Sequence, residues 1–261
     1  MSPTTYLTLC LALWAGVLGA VLGSFLDCAA GRYAAGAGWL PRGRSQCAAC
    51  GHVLRAPDLI PVVSFLLRRG RCRYCGAPIP ADCLWAELAG AGMFAGLTLR
   101  FGPAPELVLW LLTAAALLAA ALVDASTHEI PHGPLLFAAA ARVLFLFLLK
   151  QPLLPTLRDM ALGALAVPGA LLLLALAMDR VLGRESLGGG DIKLLAVMGL
   201  SMGWAELLLL LLCACVLGIA WALRPGGDRA APLAFGPFLT AAWALTAVFG
   251  QGLVAWYVGL L

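Results

Sequence analysis

The chain has 261 residues, 62% hydrophobic and only 11% charged, with 17 Lys/Arg against 13 Asp/Glu. A soluble domain carries about 25% charged residues, a disordered chain is polar and strongly charged, and a nucleic-acid binder needs a dense basic face. This composition, with a net charge of +4, fits none of them and leaves a multi-pass membrane protein of one ordinary unit's length.

Crossing the hydrocarbon core takes roughly 20 apolar residues in a helix. In chain order the apolar runs are 6–27, 83–100, 105–123, 134–150, 159–179, 191–204, 206–223 and 233–258. They predict an all-α polytopic membrane protein with about eight transmembrane helices. The first run has no Lys or Arg before it, which a cleaved signal peptide would have. Its positive charges follow instead. Residues 31–80 contain Arg32, Arg42, Arg44, Arg55, Arg68, Arg69, Arg71 and Arg73 against Asp58 alone, a net +7. The positive-inside rule puts this loop in the cytoplasm and the N-terminus outside. Alternation then puts Arg180, Arg184, Arg224 and Arg229 inside, and Arg100, Lys150 and Arg158 outside.

Within the basic loop, Cys47-Ala-Ala-Cys50 and Cys72-Arg-Tyr-Cys75 form two C-x-x-C pairs. Each pair aims two thiolates at one point, and two pairs at this separation read as a Cys₄ zinc site. The loop has few large apolar residues, so a metal would supply the folding energy of a small cytoplasmic domain. Incidental thiols are the plain alternative. Structural disulfides are disfavoured on a reducing side. Cys10, Cys28, Cys83, Cys213 and Cys215 have no ligand spacing and read as small apolar fillers.

Asp124 closes a run of 17 uncharged residues, and Asp191 follows Gly188-Gly189-Gly190 with Lys193 just after it. The topology puts both acids at cytoplasmic helix ends. Ionisable residues in such segments are functional candidates. Two carboxylates sharing a proton can hydrolyse a peptide, one activating water and the other polarising the carbonyl. The glycines would let an extended substrate approach the backbone closely. The alternative for each acid alone is a helix-end residue in contact with water. His128 and His132 flank Glu129, but they lack H-E-x-x-H order and Pro131 breaks the helix, so they read as loop histidines.

Together these segments resemble, in order, the type IV prepilin peptidases, the bifunctional leader peptidase/N-methyltransferases. The resemblance rests on Gly23-Ser24-Phe25-Leu26, the two cysteine pairs, Asp58-Leu59-Ile60-Pro61, Arg69-Gly70-Arg71-Cys72-Arg73-Tyr74-Cys75, Glu87, Asp124 with Pro131, Gly188-Gly189-Gly190-Asp191-Ile192-Lys193, and Ala234-Phe235-Gly236-Pro237-Phe238. It implies a G-x-G-D aspartic intramembrane peptidase of the bacterial inner membrane, with Asp124 and Asp191 as the catalytic pair. Its substrates would be type IV prepilins or pseudopilins, cut after a basic leader, with no nucleic-acid partner. The resemblance also implies N-methylation of the new N-terminus from S-adenosylmethionine, with Gly70, Arg71 and Glu87 as candidates in the methyltransferase region. The implied division is a first helix (1–30), a Cys₄ zinc domain (31–81) and a peptidase domain (82–261).

Three positions depart from the family pattern: Asp27 in place of Asn, Ala48-Ala49 inside the first cysteine pair, and His132 after Pro131. A proton-coupled transporter with a regulatory zinc knuckle is the principal rival, and a zinc-dependent membrane scaffold without chemistry is the other.

Overall fold

The computed structural model describes residues 3–39, 44–149, 152–183, 187–224 and 233–259. Arg42, Lys150, Arg184 and Arg229, used above for topology, lie outside them. The architecture is all-helical: α1 (Pro3–Ala34), α2 (Val63–Leu67), α3 (Ala81–Phe101), α4 (Glu106–Thr127), α5 (His132–Leu148), α6 (Leu153–Leu182), α7 (Gly189–Gly199), α8 (Trp204–Ala222) and α9 (Gly236–Val258). Every predicted apolar run overlaps one of these helices. Among the described residues, five segments are long and apolar enough to cross a membrane: Thr4–Ala34, Glu106–Thr127, Leu154–Leu182, Trp204–Ala222 and Gly236–Trp256.

The chain forms two compact units, Met1–Pro103 and Ala104–Leu261. In the first unit α3 packs along α1. Small residues in register bring those two helices together. A side chain at Gly19 would strike the Gly90 carbonyl, and one at Gly23 the carbonyl of Ala86. Such close approach is how helices associate in lipid, where apolar burial gives little driving force.

In the second unit α4 packs against both α5 and α9. Its middle is rich in alanine, with Ala114, Ala116, Ala119, Ala120 and Ala121 all buried, so neighbours can approach its backbone. Trp243 of α9 is fully buried and lies 5.5 Å from the Trp110 ring of α4. Thr113 returns its hydroxyl to the Leu109 carbonyl at 2.9 Å, which satisfies a polar group where lipid cannot.

The sixth apolar run, 191–204, is a helix of only 11 residues, α7. At about 1.5 Å per residue it covers roughly 16 Å, half the hydrocarbon core. It ends because Ser201, Met202 and Gly203 turn the chain into α8. Gly199 at its end meets Gly163 of α6, each glycine's missing side chain replaced by the other's carbonyl. The Arg142 guanidinium on α5 also donates to the Leu200 carbonyl at 3.1 Å. The helix that carries Asp191 is thus pinned at its far end.

Gly163→Val places a side chain against the carbonyls of Gly199 and Met202, neither of which can yield as a flexible side chain would. Overpacking of this kind costs about 1–3 kcal/mol or more. Thermal unfolding in detergent should show a lowered Tm for Gly163→Val. Gly16→Ala, whose nearest contact would be an ordinary 3.5 Å, should leave it nearly unchanged.

Candidate active site and metal centre

Asp124 sits in the last turn of α4, which ends at His128 in a left-handed conformation. The Asp124 carboxylate is 5% exposed and accepts the Gly236 backbone N–H on Oδ2 at 2.9 Å. That N–H opens α9, so the carboxylate meets one of the unpaired donors and the positive end of a helix dipole. Gly236 must be glycine. A Cβ there would lie 2.7 Å from Asp124 Oδ2.

Asp191 lies in the first turn of α7, after Gly188 as N-cap. Its Oδ2 would be 3.3 Å from a Cβ at Gly188, while Gly190 faces the Ile130 side chain at 3.3 Å. Of the three glycines, Gly188 and Gly190 have a neighbour that a side chain would crowd, and Gly189 faces open space. Asp191 lies within reach of the Asp124 charge, so the two acids predicted from sequence do share one neighbourhood. Lys193 is exposed.

Asp191 is also recessed along the bundle. From the Gly163–Gly199 contact, α6 continues to Leu182, roughly 28 Å at 1.5 Å per residue, whereas Asp191 lies only roughly 12 Å back along α7. The carboxylate is therefore roughly 16 Å short of the end of α6. His128 and His132 are exposed and join no cluster of potential metal ligands among the described residues.

In the first unit the two cysteine pairs form matching knuckles. In the first, the Cys47 N–H donates to the His52 carbonyl at 3.0 Å and the Gly51 N–H to the Cys47 carbonyl at 2.9 Å. In the second, the Cys72 N–H donates to Ala77 at 2.8 Å and the Gly76 N–H to Cys72 at 3.0 Å. Gly51 and Gly76 close these turns at φ +69° and +72°, a conformation that glycine adopts without penalty. The four sulfurs all lie within 4.8 Å of one another, with Cys47 and Cys75 4.0 Å apart. A tetrahedron with Zn–S bonds of about 2.3 Å has edges of about 3.8 Å, so the donor set fits zinc. The Cys50 and Ala49 N–H groups, helped by Cys72, hold the Cys47 thiol down to about 6. At Cys75 the Ala77 N–H also favours the thiolate, but desolvation and the other sulfurs outweigh it and push that thiol up to about 11. Full deprotonation of the set therefore calls for a cation.

Asp58, the loop's lone acid, is its polar hub. It accepts the Arg55 N–H at 3.2 Å and the Tyr74 hydroxyl at 3.0 Å, and it faces Arg73 at 3.8 Å and Arg68 at 4.0 Å. Desolvation raises its pKa, but these partners prevail and hold it below the usual carboxylate value. Tyr74 in turn stacks on His52 at 3.6 Å, tying one knuckle to the other.

Residues 17–101 match the bacterial peptidase A24 N-terminal domain, and residues 111–223 match the type IV leader peptidase family. A prepilin leader peptidase/N-methyltransferase of Burkholderia pseudomallei strain 1026b is 37% identical, over 79% of this chain and 67% of its own length. The chain belongs to the type IV leader peptidase family. Proteins of the same name from Aeromonas hydrophila and Bacillus subtilis are 33% and 31% identical, each match covering 82% of this chain and respectively 74% and 85% of theirs. No solved structure matches.

The leader-peptidase match spans both aspartates, and the N-terminal match spans all four cysteines. Sequence reasoning gave Gly236 no role, although a glycine before proline at a helix start was its visible signal. Among the candidates tied to methylation, Gly70 (φ +66°) forms a turn against the Phe65 ring, and Glu87 accepts the Val62 N–H at 2.6 Å. Arg71 is exposed. Gly236→Ala should displace the Asp124 carboxylate by a few tenths of an ångström or more. The expected result is a drop in cleavage kcat approaching 100-fold, with the protein still inserted, measured on a leader-bearing peptide in detergent.

Proposed function

We propose that Asp124 and Asp191 are the catalytic pair of a membrane-embedded prepilin peptidase. The observation that carries this reading is their pairing: two acids from different helices, Asp124 in the last turn of α4 facing the N-terminus of α9 and Asp191 in the first turn of α7, with Asp191 recessed below the end of α6. Membership in the leader peptidase family supports it, and the relatives' names point to prepilins or pseudopilins as substrates. The carboxylates share one proton. The ionised acid takes a proton from water, whose oxygen adds to the scissile carbonyl carbon while the other acid gives its proton to the carbonyl oxygen. The tetrahedral diol then breaks its C–N bond as the first acid protonates the leaving amine and the second takes back its proton. The pair titrates as a unit. Gly188–Gly190 leave room beside Asp191 for an extended substrate backbone.

The topology follows from charge. The apolar runs other than 191–204 span the bacterial inner membrane, α7 enters it only part-way, the N-terminus lies outside, and the +7 loop is cytoplasmic. Cys47, Cys50, Cys72 and Cys75 hold Zn²⁺ there as a folding element. The relatives' second name implies N-methylation of the new N-terminus, with S-adenosylmethionine as methyl donor. Gly70, Arg71 and Glu87 are the candidates of the methyltransferase region, Glu87 also holding the Val62 N–H. A proton-coupled transporter is not favoured, because the chain's relatives are named as peptidases.

Purified protein incubated with a prepilin and S-adenosylmethionine should yield mature pilin, and product mass separates cleavage from cleavage plus one methyl group. Asp124→Asn and Asp191→Asn should each lower cleavage by at least about 10²–10⁴-fold without loss of insertion. Full cleavage by both variants would sink the assignment. Cys72→Ser should lose bound zinc by elemental analysis and impair methylation more than cleavage. Equal loss of both activities would mean one fused site.

A further inference from the structure

Between the two knuckles the chain makes an unusual turn. Val62 has φ +61° and ψ −52°, and the Val63 N–H reaches back to the Pro61 carbonyl at 2.6 Å. This is a γ-turn of the rare, strained hand, centred on a β-branched residue for which positive φ is a true outlier. The Val62 N–H at its apex donates to the Glu87 carboxylate at 2.6 Å. Glu87 is itself buried on α3.

This hydrogen bond fixes the height of the turn. Glu87 lies level with Gly23 of α1, where a Cβ on Gly23 would be 3.1 Å from Glu87 Cα. The apolar run of α1 continues to residue 27, four residues and roughly 6 Å further toward the Cys₄ loop. Val62 is thus held within one side-chain length of the level of Glu87, beside the end of an apolar run that spans the bilayer. A backbone N–H at the edge of the hydrocarbon has little water to bond, and an acceptor from the protein serves in its place. Glu87 is that acceptor.

The side chains around this turn match such a location. Leu59, Ile60, Val63, Leu66 and Leu67 are all exposed, Leu67 at 78%, and α2 is followed by the exposed pair Arg68-Arg69. A patch of this kind on a water-facing domain would be a liability. Tied to α3 through Glu87 and backed by a net +7 loop, it has the apolar-plus-basic chemistry of an interfacial membrane anchor.

We propose that residues 59–67 form an interfacial anchor seated in the bilayer leaflet on the side of the Cys₄ domain, with Glu87 as the buried acceptor that holds its turn. The occupant of this surface is phospholipid, with acyl chains against the leucines and anionic headgroups near Arg68 and Arg69. The anchor holds the zinc knuckles at the membrane surface. The inference rests on the reading that α1 spans the bilayer.

The test uses the full, zinc-loaded chain in nanodiscs of phosphatidylcholine and phosphatidylglycerol. A small fraction of the lipid carries a diazirine in its acyl chain. After illumination and tryptic digestion, the peptide from Ala56 to Arg68 should carry lipid-derived label comparable to that on Met1–Arg32, while Ser45–Arg55 carries little. The Leu66→Glu/Leu67→Glu variant should lose that label several-fold and keep its zinc. Label on Met1–Arg32 with none on 56–68 would overturn the anchor and leave the spanning reading of α1 intact. Absence of label from both would overturn both. Protection of 56–68 from the probe on adding prepilin would assign the patch to substrate instead and would likewise overturn the proposal.

Discussion

Hydrocarbon offers no hydrogen-bond partner, and each polar group in a membrane-spanning bundle must find one within the protein. That constraint accounts for the contacts on which this molecule turns. Thr98 and Thr113 return their hydroxyls to carbonyls four residues back. Arg142 spends its Nε–H on the Leu200 carbonyl. Asp124 takes the Gly236 N–H, and Glu87 takes the N–H of Val62. The two carboxylates are used alike: each accepts a backbone donor that its own helix does not provide. In Asp124 that bond is made through Oδ2 and orients the whole carboxylate.

Placement of the second acid depends on packing of a different kind. α7 is too short to cross the bilayer and starts with glycines, so its own sequence does little to fix its position. Its far end does that work. Gly199 meets Gly163 backbone to backbone, and Arg142 holds the next carbonyl. With that end pinned, Asp191 has a set depth, and the glycines before it carry the chain back to α6. A longer helix starting at the height of the α6 end would have put its first-turn acid in water. The shortness of α7 is what lets Asp191 be recessed.

Much of this was legible in the sequence, for identifiable reasons. Hydrophobic runs locate helices because bilayer thickness imposes a length, and isolated acids within such runs stand out because they are costly. Asp124 and Asp191 met both conditions, and C-x-x-C spacing is set by local turn geometry, so the cysteine cluster was equally visible. The ends of α7 were not, because Ser201-Met202-Gly203 continues an apolar run while turning the chain. Nor was the role of Gly236, whose importance lies in a neighbour 112 residues away. Glu87 was singled out by resemblance to the methyltransferase region, yet its contact is with a backbone N–H that no side-chain pattern marks. The grouping of α3 with α1 was hidden for the same reason, being written in glycines that meet only after folding.

The cysteine loop illustrates how a segment without a core becomes a domain. Its apolar residues of any size are concentrated at Leu59–Leu67 and are largely exposed, so burial within the loop contributes little to its stability. Three other sources remain. Zinc ligation would link the two knuckles covalently in all but name, Asp58 gathers a hydroxyl, an amide and two guanidiniums into one cluster, and the Glu87 bond ties the intervening turn to α3. The first two order the loop internally, but neither determines its height above the bilayer. Only the third connects it to an element with a defined depth. Glu87, a candidate of the methyltransferase region, thus also acts on the loop as a positioning residue, through the backbone amide that the strained turn presents to it.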